Sequence, residues 1–150
     1  MSQSISCIFL HTVFSTKYRK NLILPQVENE LYAYMGSIIK SNGGIPININ
    51  GMPDHIHILS TLPKTMAVSK YVENIKRISS KWMKTKGPEF QNFRWQNGYA
   101  TFSVSPSVKN IVFRYISNQK PHHQKKGFKK ELIKLLDDHQ MEYDVRYLWD

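Results

Sequence analysis

Residues 45–61 read IPININGMPDHIHILST. Polar and apolar residues alternate on both sides of Gly-Met-Pro-Asp, the pattern of two strands joined by a tight turn. Residues 45–51 are read as one strand, 51–54 as the turn and His55 to Thr61 as the next strand, so the segment is a hairpin. Side chains of a strand alternate between faces, which sends His55 and His57 one way and Ile56 and Ile58 the other. Two imidazoles on one face suit a shared divalent ion, because they offer neutral nitrogen ligands from a rigid platform. They suit a solvated surface pair as well, and the spacing alone leaves both readings open. Asp54 either orients a liganded imidazole or shapes the turn after Pro53.

The hairpin sits in the middle of a longer alternation. Residues 4–14, SISCIFLHTVF, are rich in β-branched and aromatic types and read as a buried strand, with Cys7 as a small apolar filler. After the basic turn STKYRKN, Pro25 opens a helix whose face is Val27, Leu31, Tyr34, Met35, Ile38 and Ile39, closed by Gly43-Gly44. Downstream, residues 66–85 form a second helix with Val68, Val72, Ile75, Ile78, Ser79 and Trp82 as its stripe. Residues 94–105 read as a fourth strand. The order β-α-β-β-α-β is the split βαβ arrangement of ferredoxin-like and RNA-recognition folds, an α+β antiparallel sheet. Two helices cover one sheet face, which leaves the other for a substrate or for later elements. Those are a third helix over 107–120 stopped by Pro121, a fourth over 128–139, and an alternating, strand-like tail from Tyr143 to Trp149. The whole chain, 1–150, is expected to be one domain.

Composition narrows the partners. Lys and Arg number 21 against 11 Asp and Glu, a net charge of +10. Such a field attracts nucleic acid or an anionic membrane surface. No run approaches the roughly 18 apolar residues of a membrane span, and MSQSISCIFLHTVF lacks the features of a signal peptide. A single cysteine excludes an internal disulfide and fits a reducing cytoplasm.

The third helix carries a second cluster, Tyr115-Ile116-Ser117-Asn118-Gln119, followed by Pro121-His122-His123. Tyr115 and Gln119 are one helical turn apart and share a face. A phenol is a competent nucleophile once its proton leaves, and Gln119 offers a neutral oxygen to a metal. Taken alone, the same pair reads as a core aromatic and a surface amide.

Together, GMPDHIHIL and RYISNQKPHH, with the flanks HTVFSTKYR and WQNGYATFSVSPS, resemble the small single-tyrosine HUH transposases of the insertion sequence 200/605 group. The REP-associated tyrosine transposases are the nearest in look. The resemblance runs from about residue 5 to 150. It implies that His55, His57 and Gln119 bind Mg²⁺ or Mn²⁺, with His123 as a possible further ligand, and that Tyr115 attacks a DNA phosphate. The products are a covalent 5′-phosphotyrosine and a free 3′-hydroxyl, so rejoining needs no ATP. It also implies hairpin-bearing single-stranded DNA as partner, a homodimer with the tyrosine acting in its own or its partner's site, and a bacterial or archaeal, nucleoid-associated location.

On this reading Lys17, Arg19, Lys20, Lys76, Arg77, Lys81, Lys120, Lys125 and Lys126 are candidate phosphate contacts. Tyr18, Trp82, Trp95 and Tyr99 are candidate stacking surfaces for unpaired bases. Tyr143 and Tyr147 are rival nucleophiles, but neither has a glutamine one turn further on, and both read as packing groups. The alternative is a non-catalytic module that binds single-stranded DNA or RNA on its sheet. A third reading, a two-histidine phosphoesterase, needs a second histidine motif, for which His11 is the only candidate.

Overall fold

The computed structural model describes residues 2–123 and 127–150, without the side chains of residues 122 and 123. Strands β1 (Phe9–Ser15), β2 (Pro46–Met52), β3 (His55–Thr61) and β4 (Ala100–Val104) form one antiparallel sheet in the order β2-β3-β1-β4. Helix α1 (Pro25–Ser41) links β1 to β2, and α2 (Val68–Met83) links β3 to β4. The expected split βαβ, an α+β architecture, is the observed one. Helices α3 (Lys109–Ser117), α4 (Gln119–His123) and α5 (Phe128–Asp138) follow.

The hairpin is tighter than its sequence suggests. Met52 still pairs with His55, so only Pro53 and Asp54 make the turn. Gly51 is required there, because a Cβ would lie 2.2 Å from the carbonyl oxygen of His55. Helix α1 begins on Pro25, whose missing N–H costs nothing in a first turn, and ends at Gly43 with φ 94°.

The two faces of the sheet have different coverings. Leu10, Phe14, Ile56 and Ile58 point into the main core, where Val27, Leu31, Met35 and Ile39 of α1 meet Tyr71, Val72 and Ile75 of α2. On the opposite face Val13 and Phe102 pack under Phe128, Leu132 and Leu136 of α5, and Leu59 and Val104 pack under Ile116 of α3. The later helices therefore cover the second face, with a strip of histidines between two small apolar clusters.

Several boundaries differ from expectation, each for a physical reason. The first strand starts at Phe9 because its partners end there, Phe9 pairing with Thr61 and with Val104. Cys7 thus lies outside the sheet and is exposed. The fourth strand starts at Ala100: the carbonyls of Gln96, Asn97 and Gly98 turn to the Lys76 ammonium instead of a ladder. Trp82 is half-buried and stacks on Tyr34, while Met83 takes the core position. The tail after Glu142 forms turns, not a strand; Trp149 packs beside Phe128, and the Asp150 carbonyl accepts from Gly98 N and Gln96 Nε2. Tyr147, 66% exposed, is not a packing group, and Tyr143 is exposed too.

Candidate active site

The two histidines of β3 are fully buried beneath the later helices. His55 is paired with Ser15 and His57 with Val13, so the imidazoles share the face that also carries His11 of β1. His57 is held from behind: its Nδ1 lies 2.8 Å from His11 Nε2, with the two rings stacked. Burial, together with His57, keeps His11 well below the usual imidazole range and therefore neutral. On the other imidazole, His55 Nδ1–H donates to Asp54 Oδ1 at 2.7 Å. The two-residue turn thus places a carboxylate where it fixes the ring and leaves Nε2 facing inward.

Tyr115 and Gln119 reach the same spot from above. They do not share one continuous helix, however. Pro121 has no N–H and its ring would clash with the Ser117 carbonyl, so α3 stops at Ser117 and α4 restarts at Gln119 with the proline in its first turn. The last turns of α3 before that break are bonded from β2. Asn50 Nδ2 donates to Ile116 O at 2.9 Å, and Asn48 Nδ2 to Phe113 O at 3.0 Å and Ser117 Oγ at 2.9 Å. The alternating asparagines of ININ therefore anchor the element that carries Tyr115.

Glu131 of α5 joins the two halves. Its Oε1 lies 3.0 Å from His57 Nε2 and 3.3 Å from His55 Nε2. Its Oε2 accepts the Tyr115 hydroxyl proton and also a bond from Gln119 Nε2 at 3.1 Å. Gln119 Oε1 is 3.3 Å from His55 Nε2, and the Phe128 ring stacks on His55. His55, His57, Tyr115 and Gln119 thus converge within a single chain.

This donor set fits a hard divalent ion. Ligand atoms of His55, His57 and Glu131 all lie within 4.8 Å of one another. Glu131 Oε1 lies 3.0–3.3 Å from both imidazole Nε2 atoms, close enough for one small divalent ion to be held by all three. Buried at 2% exposure, the Glu131 carboxylate needs positive charge nearby. In the metal-free protein His55 supplies it: burial alone would lower its pKa, but hydrogen bonds to Asp54 and Glu131 carry it up to about 9. Tyr115 moves the same way for a different reason. Burial, then the charge and hydrogen bond of Glu131, raise its pKa far above the ordinary phenol value.

Glu131 escapes a reading by motif, and His11, weighed there only as a second histidine motif, has a place behind His57 that no motif gives. Glu131 stands among Phe128, Leu132, Leu135 and Leu136 on one face of α5, and a carboxylate on an apolar stripe is the signal that marks it. His11 is visible only once strand register brings it beside His57. The side chain of His123, and Lys125 and Lys126 altogether, lie outside what the structure describes.

The remaining cations divide by partner. Lys76 is spent on the 96–98 carbonyls, and Lys120 pairs with Glu28 at 3.1 Å and donates to Gly51 O, tying α4 to α1. Lys17 and Lys20 lie over the Tyr18 ring, and Arg19 over Trp149. Arg77 and Lys81 are exposed on α2. Of the aromatic candidates, Trp95 is buried with its N–H on Ser79, whereas Tyr18 is 68% and Tyr99 40% exposed.

Comparison with known proteins shows the family and the fold. The family described as Transposase IS200 like matches residues 4–119, a span that includes His11, His55, His57, Tyr115 and Gln119 but not Glu131. The ISDra2 transposase TnpA of Deinococcus radiodurans is 25% identical over 114 residues, covering 73% of this chain and 81% of the relative. A crystal structure assigned as a transposase from Deinococcus radiodurans R1 superposes with a TM-score of 0.61 at 24% identity, over 79% of this chain and 98% of that one. The REP-associated tyrosine transposase bound to a REP hairpin gives 0.60 at 17% identity, over 83% and 75% of the two chains. At these identities the two structures establish the shared fold. Among the described residues, no helix is long and apolar enough to cross a membrane.

Proposed function

The chain belongs to the family of IS200-like transposases, and from that premise we propose that it cleaves and rejoins hairpin-bearing single-stranded DNA with Tyr115 as nucleophile. One observation carries the proposal: the Tyr115 phenol bonds to the same buried carboxylate that bridges His55 and His57. As the phenol oxygen attacks phosphorus, its proton passes to Glu131 Oε2 and the bond from phosphorus to the 3′ oxygen breaks. The leaving oxygen takes a proton from water, which gives a 5′-phosphotyrosine and a 3′-hydroxyl. A divalent ion held by His55, His57 and Glu131, with Gln119 beside them, would neutralise charge on the phosphate and the leaving oxygen. His11 and Asp54 act behind the imidazoles and fix their orientation.

The donor set favours Mg²⁺ or Mn²⁺ through its carboxylate and amide oxygens. Val108, Ile111 and Phe113 are exposed around the helix that carries Tyr115, which supports a homodimer. Sedimentation velocity tests that, with a monomer at micromolar concentration as the contrary result. The reading as a sheet-surface binding module has little to stand on, since helices cover both faces of the sheet. Incubation with hairpin DNA and Mn²⁺ should give a protein–DNA adduct that survives denaturation. Failure to form one with any hairpin substrate, with or without metal, would remove the reading.

A further inference from the structure

A basic cleft lies on α2, which packs on the sheet face opposite the histidines. It has a volume of ≈ 510 Å³ between α2 and residues 94–99, within the range of about 300–1,000 Å³ that small ligands occupy. Lys76, Arg77, Lys84, Arg94, Trp95 and Tyr99 line it. Two of the cations are structural. The Lys76 ammonium binds three successive carbonyls of the 96–98 loop, and Lys84 donates to Ser80 Oγ at 3.0 Å and Phe93 O at 2.9 Å. These bonds tie the 93–98 segment to α2.

Arg77 and Arg94 differ. Both are exposed, and neither pairs with a carboxylate among the described residues; Arg77 has only a 3.5 Å contact to Asn74 Oδ1. The acid in the lining, Glu73, is taken by Lys70 at 3.5 Å. The same cleft is lined by the 40% exposed Tyr99 ring, whose centroid is 5.7 Å from Lys76 Nζ. A planar fork and an open aromatic face are what one nucleotide requires, a phosphate partner and a stacking surface.

The cleft also has a route to the histidine site. Arg94 O accepts from Lys17 N at 2.8 Å, which begins the turn carrying exposed Tyr18 between Lys17 and Lys20. Tyr18 and Arg19 both hold positive φ, 58° and 56°, a strained conformation for two non-glycine residues in succession. The same turn is tied to the β2–β3 hairpin, Thr16 N donating to Asp54 O at 2.9 Å, next to His55. One basic, aromatic-bearing turn thus joins Arg94 of the cleft to the β2–β3 hairpin.

We propose that this cleft binds one unpaired nucleotide of the DNA flanking the hairpin, its phosphate on Arg77 and Arg94 and its base on Tyr99. The identity of the polymer rests on the transposase reading; the cleft itself does not. Fluorescence anisotropy compares a hairpin with an unpaired flank and a blunt hairpin, each with wild type, Arg77→Ala/Arg94→Ala, Tyr99→Ala, and a charge control, Lys40→Ala/Lys64→Ala. The arginine pair and Tyr99→Ala should each weaken the flanked hairpin about tenfold and leave the blunt one within about twofold. The arginine pair should also flatten the salt dependence by about one to two counterions, with the control near wild type. Equal loss on both hairpins, equal loss in the control, or no loss on the flanked hairpin overturns the proposal. Covalent adduct is scored in parallel. Adduct from the wild type with unaltered binding by the cleft variants defeats the cleft alone, and selective loss of flank binding without any adduct defeats the chemistry alone.

Discussion

The two faces of the sheet are built from alternate residues of the same strands, yet they do opposite things. Ile56 and Ile58 face a core built mainly of aliphatic and aromatic side chains from α1 and α2. His55 and His57, each one residue away, face a strip in which imidazoles, an amide, a phenol and a carboxylate satisfy one another. The first face supplies stability through area removed from water. In the second, stability is traded for a polar network in which Asp54 and Glu131 raise the pKa of His55. Alternation of period two therefore separates folding from chemistry within a single seven-residue strand.

Substitutions should break that division cleanly. On the apolar face, Phe14→Ala removes a fully buried ring and should lower stability by about 3–5 kcal/mol in denaturant titration. On the polar face, Glu131→Gln keeps shape and most hydrogen bonds. It should reduce adduct formation by roughly 10²–10⁴-fold while shifting Tm by only about a few degrees. A variant that loses Tm as Phe14→Ala does, but keeps its rate, would reverse the assignment.

A pH titration sharpens the contrast. His55 has a folded pKa of about 9 against an ordinary 6.5, so its contribution to stability is complete below pH 6.5 and is lost as pH rises through about 9. The metal-free protein should show a Tm that falls between pH 7 and pH 9.5, and Mn²⁺ should offset the fall. A flat profile would mean that His55 is neutral in the folded protein.

The smallest effect belongs to the strut between the faces. Asn50→Ala removes the cap on Ile116 O and should cost about 1 kcal/mol, with a larger fractional loss of adduct because Tyr115 sits one residue before that carbonyl. Chemical denaturation and adduct assays on the same preparation separate the two losses.

What the sequence discloses follows the range of the interactions involved. The hairpin, the histidine face and the α1 stripe rest on local periodicity and end signals, and they appear where expected. Tyr115 and Gln119 meet although their helix breaks, because Pro121 restarts a turn without moving Gln119 away from the histidines. Glu131 and His11 depend on contacts made across 74 and 46 residues of chain, and no local pattern encodes such distances. The extents of β1 and β4 were set by neighbouring strands and by the grip of Lys76 on a loop. Cationic side chains were the least legible, since exposure and committed partners decide whether a lysine is a strut or a phosphate contact.

The central claim is that the Tyr115 oxygen forms the bond to DNA. The direct measurement is mass spectrometry of the denatured adduct from hairpin DNA and Mn²⁺, with wild type and Tyr115→Phe compared at matched fold and DNA binding. The account predicts an oligonucleotide on the peptide containing Tyr115 in the wild type and no adduct in the variant. An adduct in Tyr115→Phe, or one mapped to Tyr143 or Tyr147, would contradict it.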